Sequence, residues 1–275
     1  MSHAELSIRE IQSVSLEILK QIADLCEELN LRYSLSYGTL LGAVRHHGYI
    51  PWDDDVDIMM PRPDYEKLLD YLSTHKLPHL TLFNPETCPA YPYMISRVSD
   101  DRYYIDMENE DDYGMGIFID IYPFDGLGQT KKEAVSFGLK GDRLSSFCYQ
   151  ATRKHFAIET TTSTFRKIIK LPVFLVSKCI GKDFFQKKLE KLAGVKDYDT
   201  SEYVGCVVWL SGGENEIFPR KWLDETIFMP FENYMFRVPK EYDCFLRYKY
   251  GDYMQLPPEK DRIGHHAYKA YRKDD

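Results

Sequence analysis

The stretch Tyr37-Gly-Thr-Leu-Leu-Gly-Ala-Val-Arg-His-His-Gly-Tyr-Ile-Pro-Trp-Asp-Asp-Asp-Val-Asp-Ile58 decides how this chain is read. It grows out of an alternating, aromatic-rich run at 32–37, the pattern of a strand. Gly38-Thr39 then leads into a short helical stretch at 40–45. A loop containing Gly48 and Pro51 brings in residues 53–60, four aspartates followed by apolar residues, whose second half alternates as a strand does. The order is strand, glycine turn, helix, acidic strand.

Working outward, Ile8, Ile11, Val14, Ile18, Ile22, Leu25 and Leu29 recur at helical spacing behind a Ser7/Glu10 capping box, which predicts an amphipathic helix over 8–29. Pro63 opens a helix over 64–72. Short β-like segments follow at 80–84, 93–98, 103–107 and 116–122. From 131 to about 192 the pattern is helical, with Pro172 as the expected break. A β run at 203–210, a hairpin turning at Glu232-Asn233 and a helix opened by Pro239 complete the chain. The expected class is α+β: a mixed sheet flanked by helices up to about residue 130, a helical part over 131–200, and an α+β segment over 201–275 that completes the cleft.

Of the 275 residues, 44% are hydrophobic and 14% aromatic, ample for a core, so global disorder is excluded. With 35 Lys and Arg against 43 Asp and Glu the net charge is −8, which argues against nucleic acid as a partner. No apolar run approaches the ~18–20 residues of a spanning helix, and the opening MSHAELSIRE lacks a basic-then-apolar leader. A cytoplasmic protein is expected, its six scattered cysteines free thiols.

Asp55 and Asp57, two apart on a strand, point to the same face, and Asp53 is placed to join them. Like charges that close disfavour each other unless a cation lies between them, and hard Mg²⁺ or Mn²⁺ takes carboxylate and phosphate oxygens. The competing reading is a solvated acidic turn. Two neighbours favour the cation: Gly38-Thr39 at a helix start suits an anion, and Asp120 stands alone between Ile119 and Ile121, where an unpaired buried acid is costly. Pairing of Asp120 with Arg97 or Arg102 is the alternative there.

The quoted stretch resembles the signature of the LicD family, phosphocholine transferases related to the fukutins within the nucleotidyltransferase superfamily. Phe118-Ile-Asp-Ile-Tyr-Pro-Phe-Asp-Gly126, Tyr250-Gly-Asp-Tyr-Met-Gln-Leu-Pro-Pro258 and His265-His266 extend the resemblance over nearly the whole chain, while 130–200 carries no recognised motif. The superfamily pattern of Gly-Ser at a helix start, D-x-D on the next strand and a third acid later maps onto Gly38-Thr39, Asp55 with Asp57, and Asp120. Thr stands for Ser here, and the interval from 45 to 52 is long. The resemblance implies a nucleotidyltransferase-like core and metal-dependent transfer of phosphocholine, or a related alcohol phosphate, from a CDP-alcohol such as CDP-choline to a hydroxyl of a cell-surface glycan precursor, a teichoic acid or lipopolysaccharide. It makes Asp55 and Asp57 metal ligands, Asp53 an additional one, and Asp120 the third carboxylate and candidate base. Arg45 and Arg97 become candidate diphosphate clamps; Trp52, Tyr91, Tyr93, Tyr103 and Tyr104 are candidates to hold a quaternary ammonium group. Competing readings are a nucleotidyltransferase acting on an NTP and a non-catalytic adaptor.

His265 and His266 are weaker metal or phosphate candidates, and the turn at 250–253 reads as a packing element. Residues 164–192 carry eight Lys and Arg against two acids, interleaved with Phe, Ile, Leu and Val. That composition suits either ordinary packed helices or peripheral contact with an anionic membrane at its inner face, where a lipid-linked glycan acceptor would be met.

Overall fold

The structure, a computed structural model, describes residues 4–107, 109–156, 164–209, 213–262 and 268–273, with the side chains of 164–170 and 261 outside the description. Helix α1 (Ile8–Glu28) opens on the expected capping box, Ser7 and Glu10 bonding reciprocally, and buries Ile18, Leu19, Ile22 and Cys26 completely. Strand β1 (Ser34–Leu35) is shorter than its sequence pattern, because Ser36 already serves as the cap of α2 (Tyr37–His46) and Tyr37 turns to φ 45°. Strand β2 (Asp57–Pro61) and helix α3 (Arg62–Thr74) follow, with Pro63 in the first turn of α3.

Strands β3 (Leu80–Phe83), β4 (Ser96–Asp100) and β5 (Tyr103–Met107) lead to β6 (Phe118–Gly128), eleven residues long and buried throughout. The sheet runs β1-β2-β6-β4-β3, with β6 parallel to β2 and antiparallel to β4. The α+β class is therefore as expected. The far end of β6 leaves that order to pair with β7 (Tyr203–Gly205), which in turn pairs with β8 (Phe218–Pro219). There Asp125 accepts two bonds from Arg62, at 2.7 and 2.8 Å, and one from the Gly194 N–H at 2.9 Å, so it is a structural anchor.

Helices α4 (Lys131–Thr152), α5 (Thr164–Ile180) and α6 (Lys182–Glu190) pack on one another. The expected break at Pro172 does not occur: α5 runs through it, and the interruption comes at Gly181, whose φ of 85° is a conformation that favours glycine. Proline removes one helical hydrogen bond, whereas a left-handed residue turns the chain away. The hairpin of β9 (Thr226–Phe231) and β10 (Tyr234–Pro239) turns at Glu232-Asn233 as expected, and α7 (Tyr242–Tyr250) follows. Strand β11 (Tyr268–Arg272) pairs with β5, so the C-terminal residues rejoin the N-terminal half. All six cysteines are free. Among the described residues no helix is long and apolar enough to cross a membrane.

Candidate active site

The parallel register of β2 and β6 sets Asp57 directly opposite Asp120, and the antiparallel register of β6 and β4 sets Asp120 opposite Arg97. Asp57, Asp120 and Arg97 therefore form a row across three adjacent strands. Arg97 Nε donates to Asp120 Oδ1 at 2.7 Å, and its guanidinium lies 4.5 Å from the Tyr93 ring centre and 4.0 Å from that of Phe118. Both partners are buried. The alternative for Asp120, pairing with Arg97, is thus realised. Arg97, the candidate diphosphate clamp, thus has its guanidinium paired with Asp120 in the interior.

Asp57 is buried, and its Oδ1 has no hydrogen-bond partner. Burial, then the charges of Asp55, Asp120 and Asp53, push its carboxyl well above the usual range, against the opposing pull of Arg97. Asp55 lies in the loop just before β2 and not on the strand, yet it is the charge felt most strongly by Asp57. Such a set of hard oxygens with an orphaned buried carboxylate atom fits a divalent cation, whose charge would offset the repulsion. Among the described residues no three acidic, His or Cys side chains already stand together at metal-ligand spacing.

Asp53 is placed differently. A Cβ on Gly38 would lie 2.8 Å from Asp53 Oδ2, so the carboxylate occupies the space that glycine leaves open at the start of α2. This is where a negative charge is favoured by the helix dipole. Its backbone is fixed by α1: Gln12 Nε2 donates to the Asp53 carbonyl at 2.7 Å. Thr39 is 3% exposed, and its hydroxyl oxygen accepts the Asp57 N–H at 2.8 Å. Thr39 therefore positions Asp57.

Arg45 and Trp52 meet the C-terminal segment. Arg45 Nη1 donates to the carbonyl of Tyr253 at 2.8 Å and of Gln255 at 3.5 Å, tying the last turn of α2 to the segment after α7. Burial lowers its pKa. As with Arg97, this candidate clamp holds a partner within the protein. The Arg262 guanidinium stands 5.5 Å from the Trp52 ring centre. Of the aromatic candidates, Tyr91 and Tyr93 are buried in the core, whereas Tyr103 and Tyr104 are half-buried on β5. His265 and His266 lie outside the described residues.

Several residues around the acids carry no sequence signal of their own. The phenols of Tyr122 and Tyr268 are raised by burial first and then by neighbouring carboxylates, Asp57 and Asp120 for Tyr122, Asp54 and Asp55 for Tyr268; Tyr250, part-exposed at the end of α7, feels the charges of Asp57 and Glu216. Tyr37 packs edge-on against Tyr122 at 5.0 Å, and Lys249 stands 5.2 Å from the Tyr37 ring while paired with buried Glu216. Lys249 and Tyr250 bring the end of α7 to the site, and Tyr268 brings β11. Tyr37, Tyr122 and Tyr250 belong to quoted motifs, but the sequence gives the first two no role of their own and the turn that Tyr250 begins reads as packing.

The family model described as "LicD/FKTN/FKRP, nucleotidyltransferase domain" matches residues 30–153, which include β1, α2, β2 and β6 and hence every acid of the row. The lipopolysaccharide cholinephosphotransferase LicD of Haemophilus influenzae is 33% identical over 273 residues, 97% of this chain and 98% of that protein. An uncharacterized protein of Rickettsia typhi is 45% identical over 58 residues, 21% of this chain and 19% of that one. With the acids in register on neighbouring strands and a similarity that runs the length of both chains, this chain belongs to the LicD family.

Proposed function

We propose that this protein transfers phosphocholine, or a related alcohol phosphate, from a CDP-alcohol donor to a hydroxyl of a cell-surface glycan precursor. The observation that carries the reading is the opposition of Asp57 and Asp120 on β2 and β6, in a chain similar along its whole length to a lipopolysaccharide cholinephosphotransferase. Asp55 and Asp57, with Asp53 behind them, would hold Mg²⁺ or Mn²⁺, which when bound supplies charge neutralisation at the donor diphosphate. Thr39 fixes the start of β2, and Arg97 orients Asp120 to receive the acceptor proton. Lipopolysaccharide is the acceptor class named for the Haemophilus relative; a teichoic acid offers the same hydroxyl chemistry.

The deciding experiment incubates the protein with CDP-choline, CDP-ethanolamine and CDP-ribitol, each with Mg²⁺ and a glycan acceptor, and measures CMP. CMP release with at least one donor, lost on chelation, is expected. Pyrophosphate release from CTP at a comparable rate would make the protein a nucleotidyltransferase, and silence with every donor would leave a non-catalytic adaptor.

We also propose that the enzyme works at a membrane surface. Leu171, Leu175, Val176, Ile180 and Phe184 are exposed along α5 and the start of α6, each 41–53% accessible. Lys178, Lys182, Lys187, Lys188 and Lys191 accompany them. Apolar side chains flanked by lysines suit an anionic interface, where a lipid-linked acceptor would be presented.

A further inference from the structure

The tip of the β9–β10 hairpin is built against its own turn preference. A two-residue turn between paired strands favours residues that tolerate a positive φ, which are glycine, asparagine and aspartate. Here the first turn position is Glu232, at φ 55°. A glutamate kept in a conformation that suits glycine points to a use for its side chain.

That side chain reaches the loop between α2 and the acids. Glu232 Oε1 accepts the Tyr49 N–H at 3.1 Å, and the Glu232 N–H donates to the His47 carbonyl at 2.8 Å, so a single turn residue brackets Gly48 from both sides. Tyr49 is buried, and its N–H needs that acceptor. Gly48 leaves the room for it, since a Cβ there would fall on the Glu232 carboxylate. Beside the turn, Phe231 packs its ring edge-on against Tyr49, centroids 4.9 Å apart.

From Tyr49 the restraint runs on to the acids. The Tyr49 hydroxyl and Ser15 Oγ share a hydrogen bond at 2.8 Å, the Asp53 N–H donates to the Ile50 carbonyl at 2.9 Å, and Gln12 holds the Asp53 carbonyl. The turn over 50–53 is thus held by α1 on one side and, through Tyr49, by the hairpin on the other. We propose that Glu232 is a positioning residue for the acid-bearing loop: by fixing 47–49 it keeps Asp53 at the start of α2, where Asp53 supports a divalent cation at Asp55 and Asp57. Its part toward the cation rests on the proposed metal site; its hold on the loop does not.

Two variants separate the reach of the side chain from the needs of the turn. Glu232→Gln keeps the length and an acceptor oxygen, whereas Glu232→Asn suits the positive φ, and so keeps the hairpin folded, but is one carbon too short for the Tyr49 N–H. Calorimetric titration of the full chain with MnCl₂ should give binding within about twofold of wild type for Glu232→Gln and about tenfold weaker for Glu232→Asn. In metal-free protein, amide hydrogen exchange at Tyr49 and Asp53 should be faster in Glu232→Asn and unchanged in Glu232→Gln. Arg237→Met, which breaks the pair with Glu27 on the same hairpin, should lower the melting temperature yet leave Mn²⁺ affinity and both amides as in the wild type. Equal Mn²⁺ affinity in the two Glu232 variants, equal exchange in them, or loss of Mn²⁺ affinity in Arg237→Met in step with its stability overturns the proposal. A wild type that binds no Mn²⁺ removes the metal reading instead, and the exchange rates alone then uphold or overturn the hold on the loop.

Discussion

The hydroxyl oxygen of Thr39 accepts the backbone N–H of Asp57 at 2.8 Å, so the first turn of α2 holds the first residue of β2. Thr39→Val keeps the shape and removes the acceptor, leaving a buried N–H unpaired, at a cost of about 1–3 kcal/mol. Urea unfolding should show that loss, and CMP release should fall at least about tenfold as Asp57 loses its fixed position. Thr39→Ser, which keeps the acceptor, should retain most of the activity. Equal behaviour of the two variants would mean that the hydroxyl is idle.

The crowding of Asp57 by Asp55, Asp120 and Asp53 has a pH signature. Its folded carboxyl is raised, so between the unfolded value near 3.9 and the higher folded one the native state binds more protons than the unfolded state. Stability of metal-free protein should therefore decline as pH rises through that window. Asp57→Asn should flatten the decline, and Mg²⁺ or Mn²⁺ should stabilise the wild type more at pH 8 than at pH 5. Thermal melts at both pH values, with and without chelator, measure this; a Mg²⁺ effect equal in wild type and Asp57→Asn would remove Asp57 from the metal site. Asp57→Ala should abolish CMP release.

Arg97 and Asp120 stabilise each other in the interior, where losing one partner is worse than losing both. Arg97→Met should cost about 3–5 kcal/mol by stranding the Asp120 charge. The double variant with Asp120→Asn should recover part of that in a double-mutant cycle of urea unfolding. Strict additivity would mean that the pair is not coupled. Asp120→Asn alone should slow transfer far more than it weakens donor binding.

Membrane docking through α5 and α6 should depend on salt. The protein should pellet with phosphatidylglycerol vesicles at low ionic strength and be released as salt rises. Replacing Lys178, Lys187, Lys188 and Lys191 with glutamate should abolish pelleting, and Leu175→Ser with Val176→Ser should weaken it. Pelleting that ignores the charge reversal would retire the interface.

Features encoded within a few residues are legible in the amino-acid order alone. The α1 capping box needs only Ser7 and Glu10, the hairpin turn needs Glu232-Asn233 between two β runs, and Pro63 starts α3 because its missing N–H has no helical partner to lose. The same local logic misplaces the break in the helical part. It points to Pro172, whereas the chain turns at Gly181, through a φ of 85°.

The acids at 53, 55, 57 and 120, the family and the α+β class are readable from the amino-acid order, because they rest on residue identity and short-range periodicity. What each acid faces follows from contacts between strands far apart in the chain. The register of β2, β6 and β4 put Asp57 opposite Asp120 and Asp120 opposite Arg97, whose guanidinium is paired with Asp120 in the interior. Pairing of β11 with β5 brought in Tyr268, and the end of α7 brought Lys249 and Tyr250, from more than a hundred residues away. Hydrogen-bond register between distant strands depends on how the whole core packs, and a pattern of neighbours along one strand does not contain it.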